Sequence, residues 1–362
     1  MKKVNYQDEN WKYNYIDIWI LRTWKVEQFT NDEWIFCKKE DILIAWDGSK
    51  SWTVWFWLEW VIGSTLAKLE IQEKEIFFKF LWMFLQSKFV YLNANTSWAA
   101  IPHLRKDILQ NLPIPLPPLP TQQKIVSKLD SLFKNLDQVI ILTKQNLANI
   151  DEMNKGILEK IFANDKWERK KLWEVCEVIW WWTPKTEISE YWWEDIIWLS
   201  PTDLPEVWEI TKISNSTKKI SILWLQNSSA KLLPVWSVIF SSRATIGKIA
   251  INDIELSTNQ GFTNFVCSGW VYNYFLAYAL KNFTKDIIAL SNSTTFKEVN
   301  KTNLRNFSIP LPPLETQKNI VSYLDNIFAE NQKLKNLYQA QIKNLDEMKQ
   351  SFLKKAFAGE LV

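Results

Sequence analysis

The sequence predicts an α+β protein: two globular mixed α/β domains separated by two long helices packed as an antiparallel coiled coil. Three observations carry this expectation. The stretch "IPLPPLPTQQKIVSKLDSLF" (114–133) returns 195 residues later as "IPLPPLETQKNIVSYLDNIF" (309–328), with 14 of 20 positions identical. Each copy opens an apolar pattern of helical period, and the same offset pairs "NIDEMNKGILEKIFA" (149–163) with "NLDEMKQSFLKKAFA" (344–358). Each copy also follows a stretch that reads as short strands and then one amphipathic helix. A long internal repeat of this kind means one architecture built twice.

The elements follow in chain order. In residues 1–113, "DILIAWDGSKSWTVWF" (41–56) alternates and is β-branched, which predicts strands, and "EIFFKFLWMFLQSKF" (75–89) predicts an amphipathic helix. Residues 114–165 begin with prolines that force an extended lead-in. Thr121 is then expected as an N-cap. Ile125, Leu129, Leu132, Leu136 and Val139 form an apolar seam at spacings of four and three. Residues 166–308 repeat the mixed pattern: "WSVIFSSRATIGKIAI" (236–251) as strands and "VYNYFLAYALKNF" (271–283) as helix. Residues 309–362 repeat the lead-in and the helix, with Thr316 as the expected cap and Ile320, Leu324, Ile327, Leu334 and Leu345 on the seam. An apolar seam this long must be covered, and its own repeat folded back is the simplest partner. Measured to its "IPLPPL", the first domain is 29 residues shorter than the second. It lacks a counterpart of "WERKKLWEVCEVIWWWTPKT" (167–186), so it is expected to be N-terminally truncated and short of core strands.

Composition narrows the function classes. With 362 residues, 47% of them hydrophobic, the chain can build real cores. No run approaches the roughly 20 apolar residues of a membrane span, and "MKKVNYQDEN" has no apolar stretch behind its lysines, so it does not read as a signal peptide. Cys37, Cys176 and Cys267 are far apart in sequence and the only histidine is His103, which points to a reducing cytoplasm and away from a structural zinc or other metal site. No Walker A, G-x-G-x-x-G or HExxH motif occurs, nor the Asn/Asp-Pro-Pro-aromatic motif of amino-methyltransferases, and no Cys-His-acid set supports nucleophilic catalysis. The expectation is a chain with no catalytic residues. A net charge of +3 permits nucleic acid as partner without demanding it.

The two "IPLPPL.TQ..IV..LD" copies, "TPKTEISEYW" and "WLSPTDL" (183–204), "STNQGF" (257–262) and the closing "KKAFAGELV" (354–362) resemble the specificity subunit of type I restriction–modification systems. The resemblance spans nearly the whole chain. It implies a non-catalytic subunit in which each globular domain, a target-recognition domain, reads one half of a bipartite site in double-stranded DNA. The paired helices would set the spacing and dock methyltransferase subunits, two of them, while a restriction motor-nuclease subunit joins the complex. This chain would bind no cofactor: S-adenosylmethionine would sit on the methyltransferase, and ATP and magnesium on the motor-nuclease.

Polar side chains of the kinds that bond phosphates and base edges are the candidate DNA-binding residues. They are Lys50, His103 and Arg105 in the first domain. In the second they are Arg243, Thr245, Lys248, Asn259, Gln260, Asn292, Thr294, Thr295, Lys297, Lys301 and Arg305. Two other readings stay open: a two-headed coiled-coil scaffold that binds proteins rather than DNA, and a truncated, non-functional specificity allele.

One feature of the composition is abnormal. There are 23 Trp and only 7 Gly, where glycine ordinarily makes up about 7% of a chain. In the family, "VIWWWTPKT" (178–186) would ordinarily carry glycines at Trp180, Trp181 and Trp182. Trp52 falls, by the repeat offset, on Gly247, and Trp173 and Trp236 stand where turn glycines are expected. Many of these tryptophans are therefore expected to be glycines in the natural protein, as would follow if UGA codons that the source organism reads as glycine had been translated as tryptophan. Trp167, Trp192 and Trp198 stand where an aromatic fits. The competing reading is an aromatic set that stacks on nucleic acid bases.

Overall fold

A computed structural model describes residues 3–5, 7, 10–23, 25–32, 34–45, 53–56, 58–94, 105–181, 188–192, 195–243, 245–291 and 298–361. The chain divides into two compact units: unit 1 is Met1–Lys144 with Ala340–Val362, and unit 2 is Gln145–Gln339. Each unit holds one globular head and part of each long helix.

The head of unit 1 contains β1 (Tyr13–Ile16), β2 (Phe29–Thr30), β3 (Ile42–Ala45), β4 (Val54–Trp55), β5 (Val61–Ile62) and β6 (Leu66–Leu69). β1 pairs antiparallel with β2 and parallel with β5, while β3 pairs antiparallel with both β4 and β6. The helix Phe78–Ser87 lays Leu81, Phe84 and Leu85 onto a core shared with Ile42, Ile44 and Val54. Its other face, Phe80 and Met83, meets Ile125, Val126 and Leu129 of the first long helix and Leu353 and Ala356 of the second. The strands and helix anticipated from 41–56 and 75–89 are thus present.

Unit 2 contains β7 (Arg169–Lys171), β8 (Cys176–Ile179), β9 (Ile196–Leu199), β10 (Thr211–Ile213), β11 (Lys219–Ile220), β12 (Val238–Ser241), β13 (Ile249–Asn252), β14 (Ser257–Thr258), β15 (Phe262–Cys267) and β16 (Ser308–Pro310). The arrangement of unit 1 recurs. β9 pairs antiparallel with β11 and parallel with β14, and β12 pairs antiparallel with β13 and β15. Here the second sheet extends to five strands, with β10 added on β13 and β8 on β15. Its counterpart in unit 1 has three among the described residues. The helix Asn273–Asn282 covers this sheet and is buried along Phe275–Leu280.

The long helices run Leu119–Phe162 and Leu314–Phe357, each 44 residues, at the same positions of the repeat. They start two residues before the expected caps. Thr121 N donates to Pro118 O at 2.8 Å, so Thr121 sits inside the first turn, and Thr316 occupies the same place. Proline at the start of a helix needs no donor, which lets the turn begin earlier. In unit 1 the start of the first helix packs on the end of the second; in unit 2 Leu158 and Phe162 share a core with Val321, Leu324 and Phe328. The pair is therefore antiparallel in both units.

Ile125, Leu129 and Leu324 are buried on the seam, and Leu132, Leu136, Ile320, Ile327 and Leu345 are half-buried beside it. Val139 and Leu334 are not on it: both are 37% exposed. Ile140 is buried instead, and Lys335, one residue past Leu334, faces the partner helix. The steps from Leu129 to Ile140 and from Leu324 to Lys335 are each 11 residues. That is three turns of an undistorted helix, whereas a strict heptad count places the contact one residue early.

No helix among the described residues is long and apolar enough to cross a membrane.

The tryptophans divide by backbone. Trp236 has φ +69°, and no other described non-glycine residue lies in the positive-φ region. It follows Pro234–Val235 in the turn into β12, where type II geometry favours glycine. Trp173 lies within the helical turn Leu172–Val175, which requires no glycine. Trp181 is buried with Trp198 and Trp224 in a second core of unit 2, its indole N–H donating to Thr258 O at 2.5 Å. This site uses bulk, contrary to the glycine expectation there. Trp52 and Trp182 lie outside the described residues.

Candidate nucleic-acid interface

The candidate residues of unit 2 fall into two places. The first lies beyond the end of β12. Ser242 N donates to Gly261 O at 2.8 Å, and Val299 N donates to Ser242 O at 2.9 Å. These bonds tie together the turn after β12, the loop 259–261 and the segment around Glu298. Arg243 Nε lies 3.6 Å from Glu298 Oε2, with both side chains about two-fifths exposed. Lys301 lies near both: burial holds its ammonium below the usual lysine range and Arg243 pushes the same way, opposed by Glu298. Its Nζ is 5.5 Å from the ring centroid of Trp180.

Asn259 shapes the same loop. Its N donates to Leu199 O at 2.9 Å, and its Oδ1 accepts from Gly261 N at 2.9 Å. A Cβ at Gly261 would meet Asn259 Oδ1 at 3.0 Å and Pro201 Cγ at 3.1 Å, a tight fit that those neighbours would have to relieve by a few tenths of an ångström. Gln260, half-buried, lies between Asn259 and Gly261. Arg305 is exposed on the last turn of the helix Lys301–Asn306. Arg243 and Lys301 are side chains of the kind that meet phosphates, with Glu298 holding Arg243 in place.

The second place is a cavity of about 690 Å³ lined by Thr245, Lys248, Lys281, Asp151 and Lys335. Lys248 Nζ donates to Leu204 O at 2.8 Å and is held in the structure of the head. Lys281 donates to the carbonyls of Val207 and Trp208, and burial pulls its ammonium down to about 8. Trp208 Nε1 and Lys335 Nζ both donate to Asp151 Oδ1, at 2.6 and 2.8 Å. Thr245 and Lys248 thus belong with the helix contact and not with Arg243.

In unit 1, Arg105 pairs with Asp107 at 2.5 Å at the exposed start of the helix Lys106–Gln110. Lys50, His103, Asn292, Thr294, Thr295 and Lys297 lie outside the described residues. Trp180 and Glu298 were not among the sequence candidates. Glu298 reaches Arg243 only through a bridge between distant segments, and local sequence does not signal it.

A recurring polar device fixes each head to its helix. Gln122 Nε2 donates to Glu75 O and Pro117 O, both at 2.8 Å, while its Oε1 accepts from Phe77 N at 2.9 Å. Gln317 does the same with Trp270 O (3.0 Å), Pro312 O (2.8 Å) and Tyr272 N (2.8 Å). Both glutamines are buried. This is a physical reason for the repeated Gln.

Comparison with known proteins agrees with this architecture. The family described as "Type I restriction modification DNA specificity domain" matches residues 2–151 and 164–344. The MjaIX specificity subunit of Methanocaldococcus jannaschii is 35% identical over 47% of this chain and 40% of its own length. The EcoBI specificity subunit of Escherichia coli is 24% identical over 92% of this chain and 76% of its own. The chain spans about two-fifths of the length of the MjaIX and MjaVIII subunits it matches. Among solved structures, a chain from a study of type I restriction–modification complex assembly aligns with a TM-score of 0.74 at 22% identity, covering 90% of this chain and 83% of the other. The HsdS subunit of Thermoanaerobacter tengcongensis aligns at 0.52 and 21%, covering 90% and 82%. These two likenesses concern the fold. Matched twice along its length and carrying the fold twice, the chain belongs to the family of type I restriction–modification DNA specificity domains.

Proposed function

We propose that this chain is the DNA-reading subunit of a type I restriction–modification complex. Each head reads one half of a bipartite site in double-stranded DNA, and the helical pair sets the spacing between the halves. The helices also dock the methyltransferase subunits, two of them, and a motor-nuclease subunit completes the restriction complex. The chain itself catalyses nothing. S-adenosylmethionine belongs to the methyltransferase, ATP and magnesium to the motor-nuclease, and the complex works in the cytoplasm.

The observation that carries this reading is the same head architecture, clamped by the same buried glutamine to the same 44-residue helix, built twice in one chain. Two like readers in one polypeptide suit two short half-sites with unread DNA between them. The two cations of the loop cluster, Arg243 and Lys301, support DNA as ligand.

Selection from a random duplex library, followed by salt titration of the selected site, tests the proposal. The expected product is two short motifs at a fixed gap. Log affinity should fall linearly with log salt, at about 0.9 per phosphate neutralised. A single contiguous motif, or no salt-dependent binding, would refute it.

A further inference from the structure

Cys176 opens β8 and Cys267 closes β15, and the register sets them directly opposite each other. The neighbouring pair is hydrogen-bonded: Ser268 N donates to Val175 O at 3.0 Å. Bonded and non-bonded pairs alternate along an antiparallel ladder, so Cys176 and Cys267 form a non-bonded pair. The backbone agrees, since Cys176 N donates to Leu172 O within its own turn. Cα atoms of such a pair lie about 4.5 Å apart, with their side chains close, and that distance falls within the span of a disulfide. Both thiols are free, and Cys176 Sγ donates to Cys267 Sγ at 3.8 Å.

The two sulfurs differ in access. Cys176 is buried in the main core of unit 2, while Cys267 is half-buried at its margin. The hydrogen bond to Cys267, and then burial, raise the Cys176 thiol above the usual cysteine range, so Cys176 keeps its proton. Cys267 is therefore the sulfur that a small oxidant reaches first. Cys37 offers a built-in contrast. It is fully buried in the head of unit 1, and its Sγ donates to the carbonyls of Leu58 and Trp60, not to a thiol.

A cross-link at β8 has leverage. β8 is the last strand of the five-stranded sheet and, among the described residues, is paired to β15 alone. A strand held on one side opens locally at lower cost than a central one. β8 also joins two cores of unit 2: Cys176 belongs to the first, and Trp181, two residues past the end of the strand, belongs to the second. A covalent bond at Cys176 would fasten that strand at its first residue.

We propose that Cys176 and Cys267 are a modification site, at which a hydroperoxide oxidises the pair to a cross-strand disulfide that fastens β8 to its sheet. The Cys267 sulfur attacks one oxygen of hydrogen peroxide. The O–O bond breaks, one water leaves, and Cys267 becomes a sulfenic acid. Cys176 then attacks that sulfur; its S–H proton departs with the hydroxyl as a second water, and the S–S bond forms. The two thiols lose two electrons, and one peroxide becomes two waters. Where thiols are kept reduced, the dithiol is the resting form and the bond is transient.

The test uses the full chain, reduced, exposed to hydrogen peroxide, then unfolded with its remaining thiols blocked by N-ethylmaleimide. Peptide mapping should show a bridge between Cys176 and Cys267 within one chain, and Cys37 alone should take the blocking reagent. The bridge closes a loop of about 90 residues, so Tm should rise by about 5 °C or more. The amides of Glu177 and Ile179 should exchange about tenfold more slowly. Dithiothreitol should reverse the bridge and both of its effects. In Cys176→Ala the sulfenic acid has no partner, and dimedone should label Cys267. The proposal is overturned if all the cysteines stay free, if Cys267 passes to sulfinic acid while Cys176 stays free, or if the bridges join separate chains. It is equally overturned if the bridged chain keeps the Tm and exchange of the reduced one, or if Cys267 of the variant takes no label.

Discussion

Asn331 Nδ2 donates to Asn154 Oδ1 at 2.6 Å across the seam of the helical pair in unit 2, and both side chains are buried. A buried polar pair on an apolar seam fixes register at some cost in stability. Replacing Asn154 alone with Leu strands the amide of Asn331, which should cost about 1–3 kcal/mol. The double Leu variant should recover most of that loss in chemical denaturation. A single variant as stable as the parent would show that the pair is not a buried polar contact.

The buried glutamines make a second prediction. Gln317→Ala removes bonds to Trp270, Pro312 and Tyr272 at once and leaves those backbone groups without their partner. The expected loss is about 2–4 kcal/mol, from several buried groups left unsatisfied. Gln317→Glu should be at least as damaging near neutral pH, since a carboxylate cannot donate to the two carbonyls. Gln122→Ala should behave alike in unit 1. Denaturant midpoints for the three variants check this.

Trp236 carries the conformational case for glycine. Its φ of +69° costs a non-glycine residue about 1 kcal/mol. Trp236→Gly should therefore hold or raise stability, by up to about 1 kcal/mol and a few degrees in Tm. The same change at Trp181 or Trp224 should destabilise strongly, since both fill a core. The intact mass of the chain from its native host offers an independent check on the glycine reading: substitution of many tryptophans by glycine would leave it far lighter than 43.0 kDa. UGG codons at positions 180–182 would end it there.

Lys281 links pH to stability. Its ammonium is pulled from the ordinary lysine value of 10.5 to about 8 in the folded chain. Between those values the unfolded chain holds the proton and the folded chain does not, so this group adds stability as pH rises through about 8 toward 10.5. Below pH 8 both states are protonated and the burial penalty is present in full. Buried thiols and phenols work in the opposite direction at high pH: burial raises Cys37, and Cys176 and Tyr278 are raised as well. The contribution of Lys281 is therefore read as a difference. Relative to Lys281→Met, the parent chain should gain stability between pH 7.5 and about 10. A difference that is flat with pH would contradict the shift.

At the loop cluster, Arg243→Ala and Lys301→Ala should each weaken DNA binding and reduce the salt slope by about one if each meets a phosphate. If Arg243 instead reads a guanine, its loss should cost about 1–3 kcal/mol and relax one position of the site. Binding assays across salt on matched and mismatched sites distinguish these outcomes.

The sequence made the doubled architecture legible because periodicity and repetition are local or exact. The strands around 41–56 and 236–251, the helices near 78–87 and 273–282, and both long helices follow from apolar spacing. The contacts at Ile140 and Lys335 did not, because a seven-residue count drifts against a helix of 3.6 residues per turn. Cys176 and Cys267, far apart in the chain, stand directly opposite each other on β8 and β15, with Sγ atoms 3.8 Å apart. Only strand pairing brings them together. The cluster of Arg243 and Glu298 was half visible: the arginine by its type, the glutamate only through the bridge that delivers it. The contact that holds Lys248, from its Nζ to the carbonyl of Leu204, was not legible either, since it joins segments far apart in the chain.

The buried pair Trp198 and Trp224, edge-on with ring centroids 6.3 Å apart, has an optical consequence. Both indoles are buried, and among the described residues neither N–H meets an acceptor. Emission from this pair should be blue-shifted, and it should survive replacement of every solvent-facing tryptophan. Unfolding of the second core would then be visible as a red shift in steady-state fluorescence without any added dye.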